Sequence, residues 1–199
     1  MKIAIVDYGS GNLRSVSKAI EKIAPISTQV LVTGDPEEVL KADRVVFPGQ
    51  GAMPDCMKNL RTTGMEEAVR DAIRNKPFFA VCVGEQMLFE HSEEGDTPGL
   101  GIFPGKVIRI PTALKIPHMG WNSLALRTPC PLLADAGGQY VYFVHSFYGK
   151  DCDESLLATS EYGIPVTASA ANENVMGCQF HPEKSGEVGL RILKAFSEI

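Results

Sequence analysis

Residue types able to do covalent chemistry converge on a few positions of this sequence. Cys82 ends the apolar run 78–82 and sits in the frame Ala80-Val81-Cys82-Val83-Gly84. A tight strand-to-helix turn that lifts a nucleophile from a sheet edge crowds the positions two before and two after it, so both must be small. Alanine and glycine meet that need. A helix opening near Gly84 sets the positive end of its dipole beside the sulfur. A cysteine nucleophile needs a base, and the histidines are His91, His118, His145 and His181. His91 falls at the far end of the helix expected after Cys82 and points away. His118 lies in an expected loop, 116–122. His145 and His181 both close apolar runs, but only His181 has a near carboxylate. Glu183, two residues on, shares its side of an extended segment, and Pro182 favours that extension. A carboxylate on the second ring nitrogen fixes the tautomer and steadies the imidazolium. The expected triad is Cys82, His181 and Glu183. An attacked carbonyl becomes an oxyanion that preorganised N–H groups must hold. The Val83 N–H directly follows the nucleophile. Gly49, Gln50 and Gly51 in "PGQG" offer another donor from a neighbouring strand end, and glycine tolerates the backbone angles such a loop needs. Singly, each feature has a plainer meaning as a buried core thiol, a surface turn or a glycine turn. Their combination argues for acyl transfer.

Such groups must be carried by elements that end at one place. "KIAIVDY", "TQVLV", "ADRVVFPGQG" and "KPFFAVCVG" are short, continuous apolar runs, and Leu13, Val16, Ala19, Ile20 and Ile23 recur at helical spacing between the first two. "MEEAVRDAIR" is a second amphipathic helix. This alternation predicts an α/β fold: three layers, a mostly parallel central sheet and helices on both faces. In the second half, "KVIRI", "NSLALR", "QYVYFVHSF", "SLLATSEY", "VTASAANE" and "VMGCQFH" are closely spaced strand candidates, which predict an antiparallel or mixed extension of that sheet. "VGLRILKAFSEI" closes the chain as a helix. Ligands in open α/β sheets bind at the carboxyl ends of strands. There "DYGSGN", "FPGQG", "VCVGEQ" and "QFHPE" place polar and glycine-rich residues, with "FVHSF" a fifth. No repeat or linker interrupts the 199 residues, so one domain over 1–199 is expected.

Bulk properties narrow the partners. A formal net charge of -5 and the lack of a Lys/Arg cluster argue against nucleic acid. No apolar segment approaches the length of a membrane span, and no signal peptide precedes β-type sequence, so a cytoplasmic location without membrane attachment is expected. The five cysteines are odd in number, irregularly spaced and without a CxxC pair, which speaks against a disulfide framework or a zinc site. "GSGNLR" half-resembles a dinucleotide loop, but Arg14 takes the third glycine position. No metal and no cofactor are expected. Cys178 and His181 lack a second ligand pair.

"AVCVGEQ", "PGQG" and "QFHPEKSG" together resemble the class I, triad-type glutamine amidotransferases, over nearly the whole chain. Ala80 stands where that family often has glycine, a small departure. "DYGSGNLRSV" and "PHMGWN" are similar to the branch that serves as the glutaminase subunit of imidazole glycerol phosphate synthase. The resemblance implies glutamine as substrate, with Gln86, Glu94, His145, Ser146 and Phe147 holding its backbone end and Glu94 pairing with the α-amine. It also implies a heterodimer with a (β/α)8 cyclase subunit, faced by Asn12, Lys115, Met119 and Trp121. Two alternatives stay open: a glutaminase subunit for another synthase, and a stand-alone cysteine hydrolase of the same fold.

Overall fold

The computed structural model describes residues 1–9 and 11–199. The chain runs β1 (Lys2–Val6), α1 (Leu13–Ile23), β2 (Gln29–Thr33), α2 (Pro36–Leu40), β3 (Arg44–Gly49), α3 (Met53–Thr62), α4 (Glu66–Asn75), β4 (Phe78–Cys82) and the single turn α5 (Val83–Gln86). Short strands follow: β5 (Phe89–Ser92), β6 (Thr97–Pro98), β7 (Phe103–Arg109), β8 (His118–Ser123), β9 (Ala125–Leu126), β10 (Tyr140–His145), β11 (Phe147–Lys150), β12 (Leu156–Glu161), β13 (Pro165–Asn172) and β14 (Val175–Cys178). Helix α6 (Gly186–Glu198) ends the fold.

The main sheet has the order β2-β1-β3-β4-β14-β13-β12-β9. Strands β2, β1, β3, β4 and β14 pair in parallel, and β13, β12 and β9 continue antiparallel. Strands β1, β3, β4 and β14 are buried on both faces, which is why they are continuous apolar runs, whereas the edge strand β2 is partly exposed. Phe79 of β4 meets Phe196 of α6 on one face, with ring centroids 5.3 Å apart. Its neighbour Phe78 points to the other face and meets Phe47 of β3 at 5.6 Å. All four rings are essentially inaccessible to water. Burying each such side chain contributes about 1.5–3 kcal/mol, so β4 is held from both sides just before Cys82.

Three expectations need correction. The C-terminal strands do not all extend the main sheet: β8 and β10 form a two-stranded ribbon, and β11-β7-β5-β6 a separate sheet. Helix α5 stops at Gln86, so His91 lies on β5, where its Nε2 meets Asp96 Oδ1 at 2.9 Å. The cause is packing. Met87, Leu88 and Phe89 are all fully buried, and Phe89 enters β5, which pairs with β7. The Phe89 ring fills the place a side chain at Gly149 would take. Finally, His118 opens strand β8 and is 3% exposed.

Candidate active site

Cys82 has φ 57° and ψ −116°. For a residue with a Cβ this left-handed conformation costs about 1–3 kcal/mol, and it persists only where the surroundings impose it. Those surroundings are backbone. Gly49 of β3 is the register partner of Cys82. A Cβ on Gly84 would fall 2.1 Å from the Phe47 carbonyl oxygen, and one on Gly49 would fall 2.4 Å from the Gly84 nitrogen. The two glycines let β3 press against the elbow, so the loop after β3 reaches the nucleophile. Gly84→Ala is therefore expected to cost about 3 kcal/mol, the upper end of overpacking effects, because the clash is with main chain that cannot rotate aside. Urea unfolding checks this, and an unchanged midpoint would refute the reason given for the glycine.

His181 lies three residues beyond the end of β14, the strand paired in parallel with β4. The pairing brings residue 181 to the same sheet edge as Cys82. His181 Nδ1 is 2.9 Å from Glu183 Oε1, and the Glu183 side chain is fully buried. Its second oxygen, Oε2, has no hydrogen-bond partner among the described residues, so His181 is the group that answers its charge. Burial lowers the His181 pKa, but hydrogen bonds to Cys82 and Glu183, and the negative charge of both, outweigh it and raise the value to about 9. His181 is thus charged at neutral pH. Cys82, His181 and Glu183 are brought to one place, but Pro182–Lys184 form a 3-10 turn where the sequence predicts an extended segment, and this turn carries Glu183 to the ring. Gln179 joins them, although the sequence reading assigned it no role. It lies just past β14 and two residues before His181, its Nε2 lies 3.8 Å from Cys82 Sγ, and its Oε1 accepts from Gln86 Nε2 at 2.9 Å. Its place two residues before His181 is the signal that could have found it.

A cleft of about 470 Å³ opens over Cys82, a size suited to one small molecule. Gln50, Gly51 and Val83 line it beside the sulfur, and Gln86, Glu94, His145, Ser146 and Phe147 line the rest. Gly49 lies behind them against α5. The Gln50 carbonyl accepts from Cys56 Sγ at 3.4 Å, so that peptide is anchored to α3. Glu94 Oε2 accepts the Met53 N–H at 2.8 Å and thereby caps α3 from outside its own sequence. Arg109 and Lys184 also line the cleft. Isolated basic residues in a strand and a turn carry no sequence signal. Glu85 carries none either: fully buried, it is pushed well above the usual carboxyl pKa by burial and by the charge of Cys82.

Of the four residues expected at a partner surface, Met119 and Trp121 are 61% and 56% exposed on the same side of β8. Trp121 meets Tyr142 edge-on, and the Lys184 ammonium sits 6.0 Å from the Tyr142 ring. That apolar patch adjoins the cleft through Lys184. Asn12 precedes α1 and is half-buried, and Lys115 is exposed in the segment before β8.

The histidines fix a pH dependence of stability. Burial lowers His118 to about 4, and burial lowers His145 to about 3. Between those values and 6.5 the unfolded chain binds more protons, so stability falls as the pH drops below 6.5. His181, raised to about 9, acts oppositely. Its contribution is complete below 6.5 and is lost as the pH rises through 9. Denaturant unfolding is expected to show a histidine-dependent optimum near pH 6.5, with an acid limb roughly twice as steep because two groups drive it. A stability that climbs from pH 6.5 to 9 would contradict the His181 assignment.

An elbow-borne thiol, a charged imidazole held by a buried carboxylate and an adjacent cleft on a mostly parallel sheet are the parts of an amide-cleaving acyl-transfer enzyme. The chain belongs to the glutamine amidotransferase class-I family, whose model matches residues 4–198. It is 51% identical to the imidazole glycerol phosphate synthase subunit HisH of Aromatoleum aromaticum, over 98% of this chain and 96% of that one. It is 50% identical to the HisH protein of Dechloromonas aromatica, over 98% and 95%. Among solved structures, a glutamine amidotransferase superposes with a TM-score of 0.75 at 18% identity, covering 98% of this chain and 99% of the other. A glutamine amidotransferase from Thermotoga maritima gives 0.65 at 15%, covering 100% and 83%. At such identity the structures speak for the fold.

Proposed function

We propose that the chain, as one domain over residues 1–199, is the glutaminase subunit of an imidazole glycerol phosphate synthase in histidine biosynthesis. It pairs with a (β/α)8 cyclase subunit, to which it passes ammonia. The cyclase converts the phosphoribulosyl carboxamide ribotide PRFAR into imidazole glycerol phosphate and AICAR. Identity of about half to HisH proteins over the whole chain supports the assignment. The observation that carries the chemistry is the buried His181–Glu183 pair, 2.9 Å apart, at the same sheet edge as Cys82.

Cys82 Sγ attacks the side-chain amide carbon of glutamine. The N–H of Val83 and the loop Gly49-Gln50-Gly51 hold the oxyanion. His181, already charged, gives its proton to the departing amine, and ammonia leaves. In the resulting thioester, Cys82 carries no charge and no longer raises the His181 pKa, so the imidazole becomes a base for water. Hydrolysis releases glutamate and restores the starting pair. Gln86, Glu94, His145, Ser146 and Phe147 hold the substrate's amino-acid end, with Glu94 on the α-amine. Asn12, Lys115, Met119 and Trp121 face the cyclase, and an exposed Trp121 is the kind of anchor that dominates interfaces. The chemistry uses protein groups alone, in the cytoplasm.

Glutaminase rate measured with and without the cyclase partner and its ribotide ligand tests the assignment. A large ligand-dependent rise is expected. Full turnover by the isolated chain would instead favour a stand-alone hydrolase, and activation only by another synthase would change the partner.

A further inference from the structure

Two buried histidines outside the triad form a single directional chain of hydrogen bonds that ends on the cleft wall. His145 Nδ1 is 2.8 Å from the Phe147 carbonyl. A carbonyl only accepts, so Nδ1 carries the hydrogen. The neutral His145 ring then has a bare Nε2, which lies 2.8 Å from His118 Nδ1. His118 must donate there, leaving its own Nε2 bare to accept from Asn122 Nδ2 at 3.2 Å. The amide orientation of Asn122 is fixed independently. Its Nδ2 also donates to the Glu161 carbonyl at 2.8 Å, and its Oδ1 accepts the Ser123 N–H at 2.9 Å. Backbone groups therefore set both ends, and one arrangement of protons satisfies every link. Both rings are neutral at physiological pH because burial holds their pKa values far below it.

The chain's terminus matters because Phe147 O accepts twice, from His145 Nδ1 and from Gln86 Nε2 at 3.1 Å. That carbonyl thus ties β11 to α5 across the cleft. His118 is itself clamped between the Tyr162 ring at 4.0 Å and the Phe143 ring at 4.6 Å, both stacked.

We propose that His118 is a positioning residue for the glutaminase reaction: by donating to His145 Nε2 it locks His145 in the Nδ1–H tautomer, which with Gln86 pins the Phe147 carbonyl on the substrate-binding wall. This rests on the glutaminase reading for its kinetic consequence, but not for its tautomer. Without the His118 donor, His145 can place its hydrogen on Nε2, and Phe147 O loses one of its two donors. The wall loosens where the substrate's amino-acid end is held, while Cys82, His181 and Glu183 are untouched.

The test compares His118→Phe, which keeps the stacked ring and removes the donor, with His118→Asn, whose amide nitrogen can replace Nδ1. Each variant is assayed as the complex with the cyclase subunit, with glutamine as substrate. Nitrogen chemical shifts of the His145 imidazole are read in parallel on the same proteins. The wild type is expected in the neutral Nδ1–H form at about pH 7. His118→Phe is expected to mix tautomers at His145 and raise KM for glutamine roughly fivefold, the scale of one buried hydrogen bond, with kcat changed less. His118→Asn is expected to restore both. A wild-type His145 that is Nε2–H or charged at neutral pH overturns the proposal. So does a His118→Phe variant, folded by circular dichroism, with unchanged tautomer and KM. If the complex proves inactive on glutamine in every form, the functional reading fails, and the nitrogen shifts still decide the tautomer.

Discussion

Cys82→Ala is expected to abolish glutamine-dependent synthesis in the assembled enzyme proposed above and to leave ammonium-dependent synthesis within about twofold of wild type. The expected loss is on the order of a millionfold, the scale at which a hydrolase loses its covalent route with its nucleophile. The retained ammonium reaction shows that the acceptor chemistry is intact, and co-elution of the variant with the cyclase separates a chemical defect from a structural one. Packing predicts that the variant folds: alanine keeps the Cβ at a buried position, and the neighbouring glycines still accommodate the turn. A second readout accompanies the first. Cys82 contributes a hydrogen bond and a charge to the elevated His181 pKa, so titration of His181 in Cys82→Ala should give a value well below 9. Undiminished turnover of glutamine by the variant would remove Cys82 from the mechanism.

Glu183→Gln is expected to have the next largest effect, a fall of about a hundred- to ten-thousandfold in kcat for glutamine with little change in KM. The amide is the same size and can still bond to the ring. It brings no charge to steady the imidazolium, and its NH2 can face Nδ1 and select the wrong tautomer. The effect is large because Glu183 is fully buried and answered by His181. In water the same pair would be worth little. The pH profile of kcat should shift with it, since Glu183 also raises the His181 pKa. A loss confined to KM would mean that Glu183 shapes the pocket instead of the base.

Much of this site is legible in the sequence. The period of the apolar runs locates β1, β3 and β4, and the rule that open sheets bind ligands at strand ends gathers Cys82, "PGQG" and His181 at one edge. Glu183 is readable as the carboxylate nearest His181 in the chain, but it is brought to the ring by a 3-10 turn over Pro182–Lys184 and not by the extended segment that the sequence predicts. What cannot be read depends on long-range packing. The helix after Cys82 stops at one turn since Met87, Leu88 and Phe89 are drawn into a core whose shape only the whole fold defines. Gln179 sits in the "QFHPE" motif, yet its bond to Gln86 joins the residue just past β14 to α5 across 93 positions. His118 has no local pattern at all; its partner is the register neighbour supplied by β10.

The adjacency of β4 and β14 has a consequence for the protein's birth. Cys82 and its base come from parallel strands separated by half the chain, and the pairing closes only when residues 175–178 dock beside 78–81. Such long loops are slow to close. During synthesis from the N-terminus, the thiol leaves the ribosome well before the base that gives it chemistry. On the proposed mechanism, a growing chain acquires its base only when the fold closes, and a product truncated before residue 181 lacks that base.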